Sequence, residues 1–182
     1  MSKTNLRTLA EIAIFSALAL ILDKIPLYTM PQGGSVSLVM LPILLLALRH
    51  GFSTGILSGL IVGTVQLFFG GYFLNIIQVF LDYALSYAGI GFAGLLAKQL
   101  KQQKSFQKQI LTLTLASFLG ASIRFLGNFL AGIIFYGDYA PKGTPVWIYS
   151  LTYNLSYILP STVICLALLI TLLKLRPNFF KV

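Results

Sequence analysis

A chain of 182 residues that is 57% hydrophobic and only 9% charged is not an ordinary soluble domain, where about a quarter of residues carry charge. Its mean hydropathy of +0.88 is that of an integral membrane protein. The net charge of +9 does not indicate nucleic acid, because the basic residues lie between apolar segments instead of forming an aromatic-interleaved basic face.

Six apolar segments are predicted as membrane-spanning helices of one domain over 1–182, namely residues 5–27, 36–48, 52–69, 73–97, 106–136 and 147–175. The expected class is an all-α integral membrane protein with six transmembrane helices. The first segment follows Lys3 and Arg7 without a small-residue cleavage site leading to a soluble region, so it reads as a retained helix. It carries a small face of Ala10, Ala13 and Ala17, suited to internal packing or to docking another membrane subunit. Glu11 sits beside that face, near the inner surface, where it can snorkel or pair with a basic residue.

The next connection, Met30-Pro-Gln-Gly-Gly-Ser-Val-Ser37, reads either as a plain turn or as a flap over an outward-facing cavity. In the second case Gln32, Gly33, Gly34 and Ser35 form the lid, with the glycines as pivots. Pro42 makes the short second segment a tilted or kinked one, and His50 after it reads as a solvated loop residue. Gly55, Gly59 and Gly63 form a small ridge on the third segment that favours close helix packing. Gly89-Ile-Gly-Phe-Ala-Gly94 has dinucleotide-fingerprint spacing, but no strand precedes it, so it too reads as packing. The Lys- and Gln-rich stretch 98–109 reads as a solvated connection.

Charge sets the orientation. Lys3 and Arg7, Arg49 and His50, Lys98, Lys101, Lys104 and Lys108, and Lys174, Arg176 and Lys181 fall in alternate connections, while the others are sparsely charged. The positive-inside rule then puts both termini in the cytoplasm.

Asp82 is the deepest acid in this scheme, and a carboxylate there costs ~2.5–3.5 kcal/mol on insertion scales. Asn75, Gln78, Asp82 and Ser86 share one face of the fourth helix. Asn128 on the fifth and Asn154 on the sixth fall at nearly the same level, ~10–15 Å below the outer helix ends. Their stripes include Arg124 and Gly132, and Ser150, Tyr157 and Ser161. Tyr72, Tyr83, Tyr136, Trp147, Tyr149 and Tyr153 crowd the same outer half.

A carboxylate, two carboxamides and aromatic faces suit a flat, cationic, hydrogen-bonding guest. The plainer reading pairs Asp82 with Arg124 and lets the amides bridge helices. Cys165 stands alone in an apolar run, so no intramolecular disulfide is available. Neither a metal-ligand cluster, a nucleophile–base arrangement nor a phosphate-binding loop is evident, so no cofactor, no metal and no enzymatic activity are expected.

Three longer stretches carry a resemblance to a known family: MPQGGSVSLVMLPI at 30–43, LDY at 81–83 and YAPKGTPVWIYSLTYN at 139–154. They are similar to the thiamine-specific substrate-binding (S) components of energy-coupling factor (ECF) transporters, with a match over nearly the whole chain. The resemblance implies a multi-pass subunit of the bacterial plasma membrane that captures thiamine from outside with high affinity. It further implies a transmembrane coupling subunit, docking on the face of Ala13 and Ala17, and two cytoplasmic ATPase subunits as partners. Asp82 matches the family's ligand carboxylate, and Tyr72, Tyr83, Gly132, Tyr136, Tyr149 and Asn154 match other contacts. Many members have His at the position of Asn128, which keeps a donor and an acceptor but cannot become charged. An S-component for another vitamin or a pyrimidine precursor, and a stand-alone secondary transporter, are the alternatives.

Overall fold

Backbone amides in an apolar setting must close their hydrogen bonds within the segment, and helices do so. The computed structural model describes residues 3–180 and is built almost wholly from helices. Lys181, counted among the terminal basic residues, lies outside that range. The helices are α1 (Lys3–Asp23), α2 (Met40–His50), α3 (Phe52–Phe68), α4 (Ile76–Gln102), α5 (Phe106–Phe135) and α6 (Val146–Leu175). Two-residue strands β1 (Tyr28–Thr29) and β2 (Ser35–Val36) pair antiparallel between α1 and α2. Helices α4, α5 and α6 are each long and apolar enough to cross a membrane, and α2 and α3 are shorter apolar helices.

Helix α2 sits in the middle, against α1, α3, α4 and α6. Met40, Ile43, Leu44, Leu46 and Leu48 are fully buried there, as befits a helix that is apolar on all sides. It begins later than the expected 36–48 segment, because Ser35 and Val36 are committed to the hairpin. Helix α4 departs from expectation at its other end. It runs on to Gln102, so residues 103–105 alone separate it from α5 and most of the Lys- and Gln-rich stretch is helical.

His50 is also not a solvated residue. Its Nε2 lies 2.7 Å from Glu11 Oε2, and Arg49 Nε donates to the same oxygen at 2.8 Å. Arg49 also donates to Phe179 O and stacks 4.8 Å from the Phe179 ring centroid. Glu11 thus ties α1 to the end of α2 and to the chain's last described turn.

The irregularity of α4 matters most for the site. It is α-helical over Ile76–Val79, π-helical over Phe80–Leu85, α-helical over Ser86–Ile90, 3-10 over Gly91–Leu96 and α-helical again over Ala97–Gln102. Asn75 caps it by accepting from Gln78 N at 2.9 Å. A π turn is wider than an α turn and its neighbours must make room. They do so with glycine. A Cβ on Gly63 of α3 would lie 2.3 Å from Tyr83 O, and one on Gly127 of α5 would lie 2.7 Å from Leu81 O. The ridge on α3 continues this contact, with Gly59 against Tyr87 and Ala88 and Gly55 against Gly91.

Because the atom met by a Cβ at Gly63 is backbone, Gly63→Ala is expected to force the π turn aside at a cost of ~1–3 kcal/mol. A lowered melting temperature in detergent, with weaker ligand binding, would register it.

Candidate functional site

The hairpin turn and the adjoining ends of α4, α5 and α6 enclose a cavity of about 150 Å³. The π turn brings both Asp82 and its neighbour Tyr83 to this cavity. Asp82 Oδ2 accepts from Gln78 Nε2 and from the Tyr136 hydroxyl, each at 2.8 Å. Gln78 is itself fixed, its Oε1 accepting from Leu74 N at 3.0 Å. These bonds hold the carboxylate while Oδ1 has no hydrogen-bond partner among the described residues.

The plainer alternative, an Asp82–Arg124 ion pair, is not among the ion pairs of the described residues. Arg124 instead lies over Tyr87, its Cζ 5.0 Å from the ring centroid. Arg124 is 5% exposed, and its Nε and Nη1, like Ser86 Oγ, are buried without a hydrogen-bond partner among the described residues. The cavity therefore holds separate acceptor and donor groups, an arrangement for a guest with both kinds of edge.

Tyrosine is the commonest residue of the wall. Eight of the chain's nine tyrosines line it, Tyr28 being the exception. Tyr149, Tyr153 and Tyr157 run along α6 with successive ring centroids 5.5 and 6.2 Å apart. Such faces attract cations and stack on flat rings. On the α5 side Gly132 leaves no side chain in the gap, since a Cβ there would lie 2.1 Å from Ser150 Oγ.

The turn between β1 and β2 covers one side. Gly33 and Gly34 have φ of 90° and 85°, a left-handed conformation that side chains resist. Tyr153 fastens the turn to α6: its oxygen accepts from Gln32 N at 2.9 Å, and its proton goes to Gly33 O at 2.8 Å. Gly34 rests on Tyr157, where a Cβ would be 2.9 Å from the ring.

Of the residues singled out in sequence, Asp82, Asn128, Asn154, Tyr72, Tyr83, Tyr136, Tyr149 and Gly132 line the cavity, with Gln32, Gly33 and Gly34 of the turn. Gln78 stands behind Asp82 and acts on it by hydrogen bonding. Trp147 is 54% exposed and outside the cavity lining, because it sits in the first turn of α6 on the outer side. Ser35 belongs to β2 and does not line it either. Ala13 and Ala17 are exposed on the outer face of α1, beside Ile14 and Leu18.

Further lining residues are Ser86, Tyr87, Tyr139, Ser150, Tyr153 and Tyr157 together with Arg124. Ser150 and Tyr157 were already on the polar stripe of α6, and Tyr153 among the outer aromatics. Tyr87 lies off the Asp82 face at regular helix spacing, and its i+4 relation to Tyr83 was the one signal that could have found it.

If Tyr153 latches the turn, Tyr153→Phe removes both bonds while keeping the ring. Exchange of the Gln32 backbone amide is then expected to rise about tenfold, from two bonds of ~0.5–1.5 kcal/mol each. Hydrogen–deuterium exchange mass spectrometry reads this directly.

Residues 9–181 match the family described as "Thiamine transporter protein (Thia_YuaJ)". The chain is 42% identical to the thiamine transporter ThiT of Bacillus subtilis (strain 168) over 179 residues, covering 95% of this chain and 93% of that protein. It is 31% identical to the thiamine transporter ThiT of Lacticaseibacillus paracasei, covering 97% and 91% respectively. The solved structure of ThiT from Listeria monocytogenes superposes with a TM-score of 0.90 at 30% identity, covering 98% of this chain and 99% of that one. A helical bundle with a tyrosine-walled cavity, matched in sequence and in fold over nearly its full length, has one family assignment: the chain belongs to the thiamine transporter protein family.

Proposed function

We propose that this protein captures thiamine from the extracellular side of a bacterial plasma membrane, as the substrate-binding subunit of an ATP-driven ECF uptake transporter. Asp82 carries the reading: a carboxylate with one oxygen held by Gln78 and Tyr136 and the other open to a tyrosine-walled cavity. Thiamine is a permanent thiazolium cation joined to a flat aminopyrimidine. Its charge suits the carboxylate and the aromatic faces, and its amine suits the open acceptor oxygens. Arg124 and Ser86 line the same cavity and carry donors without a hydrogen-bond partner among the described residues, which suits a ligand with ring nitrogens and a hydroxyl. The names and near-full-length similarity of the relatives support the same substrate.

In this reading the chain is one membrane domain of six spans with both termini cytoplasmic. The turn at Gln32, Gly33, Gly34 and Ser35 is the lid. The exposed face of α1 at Ala13 and Ala17 receives the transmembrane coupling subunit, and two ATPase subunits supply the energy. The chain itself takes no cofactor or metal and catalyses no reaction. The partners are proposed from the family resemblance, and exposure of the α1 face is compatible with them.

Asp82→Asn keeps the shape but removes the charge, and the dissociation constant for thiamine in detergent titration is expected to rise at least tenfold, ~1.4 kcal/mol. Unchanged affinity would overturn the site. Thiamine should also outcompete riboflavin, an uncharged vitamin that gains nothing from the carboxylate. Uptake into proteoliposomes should require the coupling and ATPase subunits, and uptake by the chain alone would refute the ECF assignment.

A further inference from the structure

A run of hydrogen bonds that starts in the backbone of α6 dictates which end of the Asn128 amide faces the cavity. A main-chain carbonyl can only accept. Ser150 O lies 2.9 Å from one terminal atom of the Asn154 side chain, and Asn128 O lies 3.4 Å from the same atom. Ser150 Oγ is 3.3 Å from it and has already given its proton to Phe129 O at 2.9 Å. Three acceptors around one atom make that atom the amide nitrogen.

Asn154 Oδ1 therefore faces Tyr157, 2.7 Å away, and the phenol must donate to it. With its proton spent, the Tyr157 oxygen can only accept from Asn128, which lies 2.9 Å away. Asn128 turns its NH₂ toward Tyr157, and its carbonyl oxygen is left for the cavity that it lines. The relay is shielded from water, since Tyr157 is 5% and Asn154 6% exposed. Gly34 of the turn lies against the Tyr157 ring and holds it in place.

We infer that Tyr157 is a positioning residue that makes Asn128 a hydrogen-bond acceptor, so that this wall selects a ligand bearing a donor, such as the exocyclic amine of an aminopyrimidine. An unrestrained carboxamide would rotate to present either end and would discriminate little between donor and acceptor. With Asp82 Oδ1, Asn128 Oδ1 gives the cavity two open acceptors, against the donors of Arg124 and Ser86. Reading of the amine is thus built by a residue two steps removed, Asn154, through a phenol that need not touch the ligand. The inference deepens the thiamine assignment and rests on it for the identity of the guest.

The test uses the full-length protein in detergent with two probes. Thiamine carries the amine, and oxythiamine replaces it with a carbonyl next to a ring N–H. The parent protein is expected to prefer thiamine, and Tyr157→Phe to narrow that preference at least tenfold, because Asn128 is then free to turn its NH₂ to the carbonyl. Adding Asn128→Asp to Tyr157→Phe should restore the preference, since a carboxylate accepts from either oxygen. Equal loss of affinity for both probes, an unchanged ratio, or failure of the second substitution to restore it would overturn the inference. In the ligand-free protein, exchange of the Asn128 side-chain NH₂ in ¹⁵N-resolved spectra should be at least tenfold faster in Tyr157→Phe, and equal exchange would overturn the relay. A parent protein with slow exchange that binds neither probe would uphold the relay and refute the thiamine assignment.

Discussion

A carboxylate carried into an apolar bundle is tolerated only where fixed donors surround it, and Asp82 meets that condition through an irregular helix. The π turn of α4 sets Asp82 and Tyr83 on the cavity together, where Gln78 and Tyr136 hold one carboxylate oxygen. That turn in turn depends on missing side chains on both flanking helices, Gly63 on α3 and Gly127 on α5. The position of Asp82 on the cavity is therefore secured by close backbone packing on either side of its turn.

The same economy governs the rest of the cavity. Tyrosines form the wall, and several of their hydroxyls also fix a neighbour in place. Tyr136 steadies Asp82, Tyr83 accepts from Tyr72 N, Tyr153 fastens the turn and Tyr157 joins the two carboxamides. Phenols suit both roles, since the ring face supplies apolar and cation-attracting surface while the hydroxyl both donates and accepts. On the proposed reading the acceptors left for a guest are Asp82 Oδ1 and Asn128 Oδ1, in a cavity lined also by the donor-bearing Arg124 and Ser86. A site so divided favours a molecule with complementary edges over a simple cation.

At the opposite end of the bundle, Glu11 gathers Arg49 and His50 and, through Arg49, the carbonyl of Phe179. Charge is concentrated where helix ends meet, and α1 is left with an apolar outer face of small and large residues. That exposed side of α1 is separate from the cavity, whose lining comes from other elements.

Composition and helical period were enough to mark this as a helical membrane chain, and polar residues recurring on apolar helices marked Asp82, Asn128 and Asn154 as one constellation. Those signals are local, because spacing along a helix determines which residues share a face. The turn glycines were legible for the same reason, as Gly33 and Gly34 adopt backbone angles that other residues resist. The choice of Tyr87 as the partner of Arg124 was not legible, since a π turn shifts helix register and its cause lies in glycines on two other helices. Nor could spacing reveal that His50 meets Glu11, 39 residues away, or which end of the Asn128 amide looks into the cavity. Hydrogen-bond direction is settled by the whole set of neighbours at once, and those neighbours come together only when the helices pack.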